Sequence, residues 1–223
     1  ISDVGGPTAN FRQPSCKKQL EHGLCAQRKC LAPTPCPAME VDESDYLSLL
    51  RQLRALPGVR RVFVRSGLRF DYMMLDRDDQ FMRELLQYHV SGQLKVAPEH
   101  CCNHVLDYMG KPHIQVFEQF AQRFYRLTKE LGKEQYLVPY LISSHPGATL
   151  QDAVQLAVFL KRHHIHPEQV QDFYPTPGTV STCMFYTGLD PYTMKEVYVP
   201  RSQEEKWLQR SLLQWWKPEN RRA

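Results

Sequence analysis

The feature that most restricts what this chain can fold into is an alternation repeated along its length. Short apolar runs break off at glycine, proline and small polar residues, and each passes into a segment with helical period. VRRVFVRSG (59–67), LKVAPEH (94–100), YLVPYLISS (136–144) and VQDFYPTPGT (170–179) are the runs, and ISDVGGPTANFR (1–12) reads as the end of another with its loop. Between them lie DESDYLSLLRQLRALPG (42–58), with Tyr46, Leu49, Leu50, Leu53 and Leu56 at helical spacing, then DDQFMRELLQYHV (78–90), HIQVFEQFAQRFYRLTKELG (113–132) and TLQDAVQLAVFLKRHH (149–164). Parallel strands need crossovers of this length, so the pattern predicts parallel β/α units. The near-continuous apolar run of YLVPYLISS suits a strand covered on both faces. Units in series form either a doubly wound sheet or part of a β/α barrel, and in both the chemistry gathers at the C-terminal ends of the strands.

The segment 13–40, QPSCKKQLEHGLCAQRKCLAPTPCPAME, interrupts this order. It has no hydrophobic period and little core of its own, and a segment of that kind needs a staple. The chain therefore reads as a strand end and loop (1–12), a cysteine-rich insertion (13–40), β/α units (41–198) and a C-terminal helix with a basic tail (199–223). In that helix Trp207, Leu208, Leu212, Trp215 and Trp216 supply a buried side. It either docks on the body of the protein or offers a surface to nucleic acid or a partner.

Composition excludes some classes. The 223 residues are 42% hydrophobic with a net charge of +4, which is neither disordered nor strongly basic. Acids alternate with bases except in the last stretch, KPENRRA, so nucleic-acid contact is only weakly indicated. No stretch reaches the roughly 18 apolar residues of a membrane span, and no secretory signal pattern is present. The expectation is a cytoplasmic protein whose seven cysteines serve metals or chemistry rather than a disulfide framework. The first residue is Ile1, which leads us to expect a preceding segment.

The strand ends carry the candidate site. They present Asp3, Gly5, Gly6, Thr8 and Asn10, then Arg65, Ser66, Arg69 and Asp71, then Lys95, Glu99 and His100, then Ser143, Ser144 and His145, and last Tyr174, Thr176 and Thr179. Both charges on one face, beside glycines that let a backbone approach closely, suit a nucleoside-like or amino-acid-like ligand. A carboxylate binds an ammonium or sulfonium, an arginine binds a carboxylate, and a serine serves a ribose hydroxyl. Taken singly, each of these residues reads equally as a loop cap. His163, His164 and His166 read as helix-end or surface residues. Cys16, Cys25, Cys30 and Cys36 are spaced x8, x4 and x5. Four thiolates there satisfy a tetrahedral zinc or an iron-sulfur cluster, and the alternative is unligated thiols. Cys101 and Cys102, adjacent, and Cys183, alone, read as simple thiols because neighbours in sequence rarely serve one metal.

DVGGPTAN, the four-cysteine segment, SGLRFDYM, LKVAPEHCCNHVLDYMGKP, YLISSHPGAT and DFYPTPGT together resemble the YgiQ family of radical S-adenosylmethionine (SAM) proteins, from Ile1 to about Asn220. APEHCCNHVLDYM, HPGAT and YPTPGT are also similar to elements of radical SAM methylthiotransferases. The resemblance implies a partial TIM-type β/α barrel that holds a four-iron four-sulfur cluster and SAM at the strand ends. Cleavage of the sulfonium there yields a 5′-deoxyadenosyl radical. By resemblance, Ser66 and Arg69 stand where ribose or carboxylate contacts are expected, Lys95, Ala97 and Glu99 near the adenosine, and Ile142, Ser143 and His145 where backbone meets adenine. The hallmark CxxxCxxC occurs nowhere in the 223 residues. In the family it lies upstream of DVGGPTAN, so the chain resembles a C-terminal half, with the N-terminal half of the same protein as its expected partner and no radical chemistry alone. The alternatives are a cysteine-metal module contacting RNA or protein, and a nonfunctional remnant.

Overall fold

The computed structural model describes residues 1–26, 29–76, 78–168 and 170–220. Strands β1 (Gln93–Glu99), β2 (Tyr136–Ser143) and β3 (Gln171–Asp172) lie in that order in one sheet. β2 and β3 pair parallel, with Ile142 opposite Gln171 and Ser143 opposite Asp172. Helices fill the intervals, as the crossovers of parallel strands require. The result is a mixed α/β fold of β/α units. Among the described residues no helix is long and apolar enough to cross a membrane.

The chain divides into two compact units, Ile1–Ala97 with Gln115–Pro139, and Pro98–Ile114 with Tyr140–Ala223. In the first, the insertion contributes α1 (Lys17–His22), followed by α2 (Ser44–Ala55), α3 (Phe70–Met73) and α4 (Gln80–Glu84). α4 continues as a π-helical turn, Leu85–His89. The long α6 (Ile114–Glu130) buries Phe117, Phe120, Phe124 and Leu127, one stripe of an amphipathic helix. Phe70 of α3 packs against that stripe, its ring 5.9 Å from Phe117 and 5.5 Å from Phe120. On the polar side Asp79 receives Arg123 at 2.7 Å and Arg126 at 2.9 Å, tying the start of α4 to α6.

The expected strand 59–67 is extended but forms no regular ladder. Val4 N–H donates to Phe63 O at 2.8 Å, Phe63 N–H to Ile1 O at 3.1 Å and Val64 N–H to His89 O at 2.9 Å, so the segment is held between two neighbours out of strict register. Val62 and Val64 face the core.

In the second unit, α5 (Asn103–Met109) follows β1, α7 (Leu150–Arg162) follows β2, and α8 (Val180–Thr187) and α9 (Gln203–Leu213) complete the chain. Leu141, Leu156, Leu160 and Leu213 form its core with Phe159 and Ile165. A capping box starts α7: Thr149 accepts from Asp152 N–H at 3.3 Å, and Asp152 accepts from Thr149 N–H at 2.9 Å. The buried side of α9 differs from the expected one. Trp207 is 50% exposed, whereas Gln209, Ser211 and Leu213 are buried. The reason is polar: Gln209 accepts from Ser144 N–H at 3.0 Å and donates to Ala148 O at 3.1 Å, which satisfies the backbone beyond β2.

Candidate functional site

The strand-end residues fall into two groups. Ser66, Arg69 and Lys95 belong to the first unit, and Glu99, Ser143 and His145 to the second.

In the first unit the loop GGPTAN is fastened from several directions. Asp3 accepts from Gly5 N–H at 2.7 Å, from Arg65 N–H at 2.8 Å and from the Ser66 amide and hydroxyl. Partial desolvation pushes its pKa up, but these hydrogen bonds, the Ser66 hydroxyl foremost, outweigh it and hold the carboxyl down at about 2. A Cβ on Gly5 would stand 3.0 Å from both Asp3 Oδ1 and Val64 Cγ1, so any larger residue there must push these side chains aside. Asn10 is buried, accepting from Arg69 N–H at 2.8 Å and donating to Glu43 Oε1 at 2.9 Å. Arg69 in turn makes a two-pronged pair with buried Asp71, at 2.8 and 2.5 Å. Ser66 and Arg69 thus hold the loop that follows Asp3. Lys95 is half-buried in β1. Glu43 is a buried carboxyl whose pKa rises to about 8 through desolvation, with Asp76 and Asp42 adding to the rise and the Asn10 hydrogen bond opposing it.

In the second unit the ends of β1, β2 and β3 present a polar shelf. Glu99, with φ of 71°, closes β1 and pairs with Lys111 at 2.7 Å. Ser143 donates to Asp172 Oδ1 at 2.5 Å, and Arg210 donates to Asp172 Oδ2 at 3.1 Å, a chain across paired β2 and β3. Ser144 takes φ of 60°, uncommon for a non-glycine residue, and its buried Oγ has no hydrogen-bond partner among the described residues. His145 is buried. Its Nδ1 lies 2.7 Å from Pro146 O, an acceptor, so Nδ1 carries the proton and Nε2 accepts from Ser181 at 2.8 Å. The imidazole packs edge-on to Phe173, 5.0 Å away. Gly147, with φ of 93°, carries the turn: a Cβ there would stand 2.3 Å from Tyr108 Cδ2. In the YPTPGT loop, Thr176 O accepts from both Thr179 and Thr182 hydroxyls, at 2.9 and 2.6 Å.

The four cysteines of the insertion are all thiols rather than disulfides. Cys30 and Cys36 approach through Cys36 N–H to Cys30 O at 2.8 Å, Cys16 precedes α1, and Cys25 is exposed. Among the described residues one group brings three ligand-type side chains together: His100, Cys101 and Cys102, with donor atoms within 4.8 Å of one another. His100 was legible as a strand-end residue, while the two cysteines were set aside for their adjacency. The run HCC directly after a strand was the available signal.

Residues 168–222 match a family model described as a domain of unknown function, DUF3362. Over 220 residues the chain is 60% identical to a UPF0313 protein of Clostridium perfringens, and over the same span 54% identical to one of Clostridium botulinum. These alignments cover 99% of the chain but 33% and 34% of the two relatives. The chain thus spans about a third of the length of the curated relatives it matches.

Proposed function

We propose that the chain is the SAM-facing C-terminal portion of a radical SAM enzyme. The reading rests on its resemblance to the YgiQ family, and the UPF0313 relatives, similar along nearly the whole chain, fit it. The observation that carries it is the shelf at the ends of β1 and β2, where Glu99 and Ser144 both take left-handed backbone conformations and the buried Ser144 Oγ is left without a partner. An orphaned hydroxyl at a strand end suits a ligand that brings its own hydrogen-bonding group. The Glu99 carboxylate accepts from ribose hydroxyls, and Lys111 holds that carboxylate in place. Ser143 and His145 act through packing. Ser143 fixes the β2–β3 junction by way of Asp172, and His145 fixes the Pro-Gly turn. Ser66 and Arg69 act in the same way on the Asp3 loop, and Lys95 supplies a positive charge along β1. When bound together, the four-iron four-sulfur cluster and SAM supply a 5′-deoxyadenosyl radical for hydrogen abstraction.

The cluster itself does not fit the cysteines present, since the 223 residues contain no CxxxCxxC. In this reading its ligands lie in the part of the longer protein outside this chain. Cys16, Cys25, Cys30 and Cys36 are retained as a zinc or second-cluster set that closes only on loading, within a reducing cytoplasmic setting. The test is SAM binding to the anaerobically reconstituted full-length protein. Glu99→Gln should weaken it about tenfold or more, and undiminished binding in that variant would overturn the placement of SAM.

A second reading, a metal-binding module that contacts RNA, draws on a cavity of about 490 Å³ in the first unit, lined by Arg54, Arg60, Arg61 and Lys133. If it holds, RNA affinity falls steeply with salt.

A further inference from the structure

We infer that His100, Cys101 and Cys102 form a site for a thiophilic divalent cation, zinc in the first instance, independent of both the SAM reading and the four-cysteine set. Sequence neighbours on a strand point to opposite faces, but these three occupy the junction where β1 ends and α5 begins. There the two sulfurs lie 3.9 Å apart. Two zinc–sulfur bonds of about 2.3 Å at a tetrahedral angle set sulfurs about 3.8 Å apart. The sulfur pair therefore already has the bite of a tetrahedral zinc. His100 Nδ1 accepts from Cys102 N–H at 3.0 Å, which holds the imidazole beside the two cysteines; a metal taken by Nδ1 would displace that hydrogen bond, and one taken by Nε2 would leave it in place to fix the ring.

The surroundings suit the ion. His100 and Cys102 are buried, and Cys101 is half-buried, which gives an entry path. Val105, Ala148 and Met109 form an apolar wall behind the sulfurs. Two thiolates and a neutral imidazole balance the charge of Zn²⁺, so loading places no net charge in this pocket. Soft sulfur donors with an imidazole select zinc over magnesium or calcium. Binding expels the protons of both thiols as the zinc–sulfur bonds form. Three protein donors leave the fourth tetrahedral position to water or a small ligand. Without metal, Cys102 Sγ donates to Gln155 Oε1 at 3.5 Å.

The experiment compares zinc content and Co²⁺ spectra of four full-length chains, purified under reducing conditions and stripped with chelator. They are the parent, Cys101→Ser, Cys101→Ser with Cys102→Ser, and a chain with Cys16, Cys25, Cys30 and Cys36 all changed to Ser. The parent and the four-serine chain should each hold one equivalent of zinc that the double variant lacks. Cobalt should give a sulfur-to-metal charge-transfer band whose intensity falls by about half in Cys101→Ser, a half-buried change that leaves the pocket walls in place. Zinc uptake by the double variant equal to the parent's would overturn the proposal. So would an unchanged cobalt band in Cys101→Ser, or a folded four-serine chain that binds no zinc.

Discussion

Glu43→Gln should stabilise the first unit by an amount that grows with pH. Glu43 is 5% exposed, one carboxyl oxygen accepting from Asn10 and the other without a partner among the described residues, and its pKa rises from 4.5 to about 8. Between those values the folded state binds a proton that the unfolded chain has released, so stability falls as pH rises and levels off above about 8. Each pH unit is worth about 1.4 kcal/mol, which amounts to about 5 kcal/mol across the interval and about 3 kcal/mol at pH 7. Glutamine keeps the acceptor for Asn10 and cannot ionise. Its unfolding free energy should therefore match the parent's near pH 4.5 and exceed it by about 3 kcal/mol at pH 7. Urea titrations of both chains at a series of pH values measure this, and because the difference cancels every other titrating group, it isolates Glu43. A parent-minus-variant difference that stays flat from pH 4.5 to 8 would refute the reasoning.

Two further changes probe the second unit. Gly147→Ala puts a Cβ 2.3 Å from Tyr108 at a φ of 93°, and should cost about 2–4 kcal/mol in urea unfolding, with a loss under about 0.5 kcal/mol contradicting the clash. Thr149→Ala removes the α7 capping box and should cost about 1–2 kcal/mol, with Asp152→Ala adding little further because the two bonds act together.

The long elements were legible because they are long. α2, α6 and α7 repeat their apolar positions over several turns, β1 alternates buried Leu94 and Val96 around Lys95, and β2 announces itself by a near-continuous apolar run ended by serine. α1, α3 and α8 span 6, 4 and 8 residues, too few turns for a period to emerge. The segment 59–67 has strand composition, yet its partners are 1–4 and His89, and a break of register leaves no trace in composition. At the site the residue types were visible and their employment was not. Ser143 spends its hydroxyl on Asp172, 29 residues away, and Ser66 spends its own on Asp3, 63 residues away. Such pairings are set by tertiary structure alone. The His100-Cys101-Cys102 group is obscured for the opposite reason, since adjacent cysteines rarely serve one metal and the sequence does not show that the junction of β1 and α5 brings their sulfurs to 3.9 Å.

The most direct measurement of the central claim is 5′-deoxyadenosine formation from SAM by the full-length protein, anaerobically reconstituted and reduced with dithionite. The account predicts 5′-deoxyadenosine from the full-length protein, a reduced yield from Glu99→Gln, and none from the 223-residue chain alone. A full-length protein with an intact four-iron four-sulfur cluster that leaves SAM uncleaved would contradict it.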